Sequence, residues 1–355
     1  MIITESQKWW QLIVVAGIGF LIYLLGPVLM PFVIAALLAY LCNPLVNRLV
    51  DLKLPRLAAV VVVFIGVFLV IMLLLLLLMP LIEKQVMIFI RNWPDYIDWL
   101  QQTAIPWVLG HLGIEEVSLD LSALKQTFIE HWQQMGGTAA SIITSVSKSG
   151  LALIVWLANL VLIPVVTFYL LRDWEIMIKR IHELVPHSIE STVARLARDC
   201  DMVLGTFMRG QLIVMLALGV VYSAGLWIVG LDLALLIGVL AGMVSFVPYL
   251  GFFVGVLAAG IASVLQFHDL MYLLPVLIVF GVGQFLEGMV LTPLLVGDRI
   301  GLHPVAVIFA VMAGGQLFGF TGILLALPVA AVIAVLLRYA RERYVASELY
   351  NSGND

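Results

Sequence analysis

The chain has 355 residues, of which 63% are hydrophobic and only 11% charged, and its mean hydropathy is +1.14. An apolar share so far above the roughly 45–50% of soluble domains excludes an ordinary cytosolic enzyme and a disordered chain alike. A net charge of −4 with no lysine or arginine block excludes nucleic acid as a partner, because nothing is present to neutralise a phosphate backbone. The two cysteines, Cys42 and Cys200, form neither a disulfide framework nor a metal spacing. What remains is an all-α polytopic membrane protein whose first partner is the lipid bilayer.

Residues 1–26 open with Glu5 and Lys8, and Gly26-Pro27 leads into further apolar sequence, which fits a first span rather than a cleaved signal peptide. Residues 9–42 are too long for one untilted crossing of a roughly 30 Å core at about 1.5 Å per residue. The spacing predicts two short helices joined at Gly26-Pro27. Residues 57–79 carry no charge, include the leucine run Leu73 to Leu78 and stop at Pro80, so they read as a third span. A fourth, 151–171, is interrupted by Asn159 and Pro164. Between the two, residues 81–149 gain charges and tryptophans, and Leu121, Leu124, Phe128 and Trp132 share one helical face, as in an amphipathic extramembrane insert. Residues 172–209 are a second polar stretch. There Val193, Leu196, Cys200, Val203, Leu204 and Phe207 line a stripe opposite Arg195, Arg198 and Asp199, as expected of an amphipathic helix on the membrane surface.

Lysine and arginine fix the orientation. Lys8, Arg48, Lys53, Arg56, the six from Arg172 to Arg209, Arg299, Arg338, Arg341 and Arg343 can share one side, and only Lys84, Arg91, Lys125 and Lys148 cannot. Those four fall in the 81–149 insert, which places it outside and both termini in the cytoplasm.

Beyond Arg209 glycine, proline and polar residues cut the apolar stretches. Gly230-Leu231 laid without gaps on Gly301-Leu302 puts Ile237 on Ile308, Gly251 on Gly322 and Ser245-Phe246-Val247-Pro248 on Gln316-Leu317-Phe318-Gly319, while Gly210-Gln211-Leu212 matches Gly283-Gln284-Phe285 upstream. Each copy (210–267 and 271–337) is then one span plus two short segments around a breaker. Residues 233–247 reach only about 22 Å as a helix and 302–313 about 18 Å, short of the hydrocarbon thickness, so each pair reads as a re-entrant hairpin or as two short full spans. With hairpins the second copy is inserted upside down and Arg299 falls inside. The chain thus divides into 1–80, 81–149, 150–171, 172–209, a core of 210–340 and a tail of 341–355, with about eight membrane segments.

The same region carries Arg209-Gly210-Gln211, Val247-Pro248-Tyr249-Leu250-Gly251, Pro293 with Val296-Gly297-Asp298-Arg299, Gly301-Leu302-His303-Pro304, Gly314-Gly315, Phe318-Gly319-Phe320-Thr321-Gly322 and Leu327-Pro328. With these motifs residues 204–330 resemble the autoinducer-2 exporter family of bacterial permeases. The first half matches only in layout, with Asn43-Pro44-Leu45 after the first hairpin and a polar insert after the third span. The resemblance implies a multi-pass protein of the bacterial cytoplasmic membrane. In some members the activity is export of small polar signals, and in others sodium/proton antiport or general permease activity. It also implies a homopentamer with an elevator-like moving part. No cofactor is expected.

An ionisable side chain at membrane depth is costly and marks a candidate site. Glu287 lies mid-span, three residues after Gln284 and on its face with Leu291. It reads either as a carboxylate that couples H+ or Na+, beside a polar substrate contact, or as a buried glutamate paired with Arg209 or Arg299. Gln211 mirrors Gln284. Ser245, Pro248, Tyr249 and Gly251 on one tip, and Gly315, Gln316, Thr321 and Gly322 on the other, offer backbone and hydroxyl groups to a small polar solute or to each other. Asp298-Arg299 fits a turn that anchors the second hairpin or a gate. Enzymatic readings fare worse: His182 and His187 are five residues apart with Pro186 between them, so one helical face cannot hold both on a metal, and no phosphate-cradling glycine loop occurs.

Overall fold

Every described element of the structure, a computed structural model, is helical. The structure describes residues 17, 19–21, 24–106, 150–296, 303–347 and 350. The elements are α1 (Gly26–Asp51), α2 (Arg56–Trp99) with a π-helical continuation (Leu100–Ala104), α3 (Gly150–Glu183), α4 (Glu190–Val229), α5 (Ala234–Val244), α6 (Leu250–Phe267), a 3-10 turn (Leu270–Tyr272), α7 (Leu273–Leu286), a π-helical stretch (Glu287–Val296) and α8 (Pro304–Val345). Among the described residues 6 helices are long and apolar enough to cross a bilayer, and two shorter apolar ones, Ala234–Val244 and Val305–Gly319, accompany them. This is the all-α polytopic architecture expected from the sequence.

Several boundaries differ from expectation, and prolines account for most of the difference. α1 begins at Gly26-Pro27, where a break was expected, but runs through Pro31 and Pro44 to Asp51. α2 passes Pro80 and Pro94 without ending, so the first part of the 81–149 insert prolongs the third span, while Leu121, Leu124, Phe128 and Trp132 lie outside the described residues. α3 likewise runs through Asn159 and Pro164 to Glu183. A proline removes one ladder hydrogen bond, and in transmembrane helices neighbouring groups and local π adjustments compensate. α4 fuses the polar stripe and the following span into one helix of 40 residues. On it Val203, flanked by Leu196 and Cys200, packs against Ala331 and Val335 of α8, and Arg195 lies 5.7 Å over the Tyr339 ring. The stripe therefore meets a helix where a membrane surface was expected. The turn before α4 is clipped by Glu190, which meets His182 at 3.0 Å and His187 at 3.1 Å; the turn, not one helix face, brings the two imidazoles to a single carboxylate.

The chain divides into two compact units. Unit 1 comprises Met1–Phe68, Trp156–Arg209 and Asp298–Asp355, and unit 2 Leu69–Val155 and Gly210–Gly297. In unit 1 the small residues Ala39 and Ala59 let α1 and α2 approach, and Val46, Val60, Val63 and Leu171 close the core around them. Arg56 ties this unit together. Its Nε donates to the Arg172 carbonyl at 3.0 Å, its Nη2 to the Leu171 carbonyl and to Asn43 Oδ1 at 3.3 Å each, and it pairs with Glu175. A lysine keeps the charge but not the planar fork. Arg56→Lys is expected to cost about 2 kcal/mol, read as a lower unfolding midpoint in detergent; an unchanged midpoint would show that the fork contributes nothing.

In unit 2 Leu218, Tyr222 and Leu226 of α4 are fully buried against Val276 and Phe280 of α7. α5 lies backbone to backbone on α4, because a Cβ on Gly242 would overlap Gly219 and one on Gly238 would overlap Ser223. After α5 the chain breaks over Ser245–Tyr249, with Tyr249 left-handed at φ 68. It then folds back: a Cβ on Gly251 would strike Ser245 and the Ala241 carbonyl, though residues ten apart on a straight helix stand about 15 Å apart. Within unit 1 the second break falls at Gly319 (φ 60, ψ −141) inside α8, and the backbones of Gly314 and Gly322 touch across it. Both breaks sit where the ungapped alignment put them, Pro248 over Gly319.

Candidate functional site

The residues singled out in unit 2 converge. Gln211 of α4 is buried and donates its amide to the Ser245 carbonyl, while Ser245, 1% exposed, returns its hydroxyl to the Ala241 carbonyl at 2.8 Å. The first bond satisfies a carbonyl that the end of α5 leaves open, while the Ala241 carbonyl takes the Ser245 backbone N–H as well, at 2.9 Å. Pro248 is half-buried in the tip, and Gly251 supplies the close approach behind it.

Glu287 stands at the junction where α7 becomes the π-helical stretch and is only 5% exposed. The Tyr249 backbone N–H reaches its carboxyl, and Tyr249 is the N-cap of α6, so the carboxyl lies at a helix N-terminus, where the dipole favours negative charge. Gln284 donates to it at 3.5 Å. Among the described residues of unit 2 no lysine or arginine pairs with Glu287. The π ladder itself starts six residues before Pro293, whose missing N–H suits a register change, and such bulges recur at functional sites.

Two buried acceptors beside the carboxyl have no hydrogen-bond partner among the described residues: Gln284 Oε1 and Tyr222 Oη. Tyr222, 0% exposed, packs on Phe280 with the ring centroids 4.5 Å apart and the planes tilted by 33°, and a Cβ at Gly283 would come 3.0 Å from its hydroxyl. The sequence reading passed over Tyr222; its signal was a Tyr-Ser pair in the middle of an apolar span. Gln211 and Gln284 also turn out unlike: the first holds the tip, and the second keeps a free oxygen.

The other candidates lie in unit 1 or outside the described residues. Thr321 and Gly322 are buried behind the Gly319 break, a Cβ at Gly315 would come 3.2 Å from the Ile323 side chain, and Gln316 is exposed. Arg209 folds back along its own helix, donating Nε to the Gly205 carbonyl at 2.8 Å. Asp298 and Arg299, and any turn or gate they form, are outside the described residues.

A buried carboxylate at the broken end of a helix, with open oxygens around it, is the equipment of an ion or solute path. Comparison with known proteins agrees: the family described as AI-2E family transporter matches residues 12–342. The chain belongs to this family of membrane transporters. The match covers far more than residues 204–330, where the motifs lie. Among its relatives, YrrI of Bacillus subtilis (strain 168), named as a candidate transport protein, is 28% identical over 87% of this chain and 86% of its own. PerM of Escherichia coli (strain K12), named as a candidate permease, is 26% identical over 95% of this chain and 94% of its own. A protein of Halobacillus andaensis named as a sodium-lithium/proton antiporter is 23% identical over 90% of this chain and 92% of its own. Family membership and the apolar helices make this a multi-pass membrane protein.

Proposed function

We propose that the chain is a secondary carrier that exports a small polar organic solute, autoinducer-2 or a solute like it, across the bacterial cytoplasmic membrane and couples the movement to H+ or Na+ through Glu287. The observation that carries this reading is the buried Glu287 carboxyl on the Tyr249 N–H of a broken hairpin. A carboxylate at membrane depth persists where it serves a path, and broken helix ends supply the polar groups that water would otherwise supply. In this reading the Ser245–Tyr249 and Gln316–Gly319 tips belong to two inverted copies that enter from opposite sides. Both termini face the cytoplasm, the protein is a homo-oligomer, a pentamer by its family resemblance, and one part moves as an elevator. The chain acts without catalytic chemistry or cofactor.

A second reading is supported by the named activity of the Halobacillus relative and by the donor set itself. Glu287, Gln284 Oε1 and Tyr222 Oη are all oxygens, the ligands that hard cations prefer, which suits Na+/H+ antiport without an organic solute. Proteoliposomes separate the two. Saturable counterflow of labelled autoinducer-2 supports the carrier, whereas Na+- or Li+-driven proton movement with no solute present supports the antiporter. If neither occurs, both fail and a channel or scaffold without carrier activity takes their place.

A further inference from the structure

Unit 1 holds a cavity of about 580 Å³ to which the transport reading assigns no role, walled by α1, α3 and α4. Its size lies within the roughly 300–1,000 Å³ of small-molecule sites. Its lining includes three arginines, Arg48, Arg198 and Arg209, and two acidic residues, Asp51 and Asp201. One carboxylate is already engaged, because the Tyr40 hydroxyl donates to Asp201 Oδ1 at 2.8 Å. Gly205 keeps Arg209 at the wall: a Cβ there would lie 2.7 Å from Arg209 Nη2 and 2.9 Å from the Tyr40 hydroxyl. α1 adds Asn47, whose Oδ1 is buried with no hydrogen-bond partner among the described residues. Trp174 supplies an apolar wall.

We propose that this cavity binds the phosphate ester of a polyol. The guanidiniums take the phosphate oxygens by charge-assisted hydrogen bonds, the Asp51 carboxylate accepts from a hydroxyl, and Trp174 covers the carbon skeleton. The same chemistry is offered by a free ester such as glycerol 3-phosphate and by the headgroup of phosphatidylglycerol.

The test uses the full chain in phosphatidylcholine nanodiscs. In one arm glycerol 3-phosphate is titrated calorimetrically, with glycerol as the uncharged control. In the other, unfolding is followed as phosphatidylglycerol replaces phosphatidylcholine. Saturable binding of the free ester identifies a soluble ligand, and a higher unfolding midpoint with phosphatidylglycerol alone identifies the lipid. In either case Arg198→Gln is expected to weaken the response at least tenfold and Ala197→Trp, which fills the cavity, to abolish it. Both positions are exposed, so the unfolding midpoint without ligand should stay in place. No response in either arm, or a response undiminished in both variants, overturns the proposal.

Discussion

Glu287→Gln should leave the protein folded and remove cation-driven transport, with a loss of roughly a hundredfold, equivalent to about 2.7 kcal/mol on the driven step. Glutamine has nearly the same shape and can still accept from the Tyr249 N–H with its amide oxygen, so the hairpin tip keeps its anchor. What it lacks is the ability to exchange a proton or neutralise a cation. Burying a neutral amide in place of a carboxyl is no harder for the fold, and thermal unfolding should therefore be unchanged or slightly raised. Tyr222 Oη is buried without a hydrogen-bond partner among the described residues, so Tyr222→Phe is the companion variant: it removes one open oxygen and leaves the carboxyl in place. Driven flux that survives Glu287→Gln with its pH dependence intact would remove the carboxyl from the mechanism. Loss of flux together with loss of the folded protein would assign it a structural role.

Gly251→Val should have the larger effect on structure. A Cβ at 251 would overlap the Ser245 side chain and sit 2.5 Å from the Ala241 carbonyl, atoms that the bond from Gln211 to Ser245 holds in place. Two further methyl groups cannot be accommodated without parting α5 from α6. The cost should be on the order of 3 kcal/mol, with transport lost and a much lower unfolding midpoint. Gly322→Val should behave alike, since a side chain there meets the Gly314 backbone. Gly281→Ala is the control, because nothing lies within 4 Å of its Cβ position. If Gly251→Val were as silent as Gly281→Ala, the hairpin would not be closed at its tip.

The two helix breaks were legible because the residues that end helices change the local backbone menu in any solvent. Tyr249 adopts φ 68 directly after Pro248, and Gly319 takes φ 60 with ψ −141, a conformation open to glycine. Glu287 was legible by its cost alone. Helix ends were read worse, and Pro80, Pro94 and Pro164 show why: a proline costs a helix one ladder hydrogen bond and a ring clash, a cost that a long helix bears where neighbouring groups and local adjustments compensate. The fusion of the 172–209 stripe with the next span was missed for a different reason. Periodicity fixes which face of α4 is apolar, but whether Val203 meets lipid or Ala331 depends on residues more than a hundred positions away. Arg209 was offered as a structural partner for Glu287, whereas its Nε is held locally by the Gly205 carbonyl. Tyr222 was hidden because tyrosine in an apolar run reads as an interfacial anchor until its neighbours are known.

The central claim is that Ser245–Tyr249 and Gln316–Gly319 are the tips of two hairpins that enter the membrane from opposite sides. A cysteine-accessibility scan tests it most directly, with Cys42 and Cys200 replaced by serine and single cysteines placed through residues 240–255 and 310–325. The account predicts that both flanks of each segment label from one side only, and that this side is opposite for the two segments. Labelling that passes from one face of the membrane to the other along either segment would contradict it.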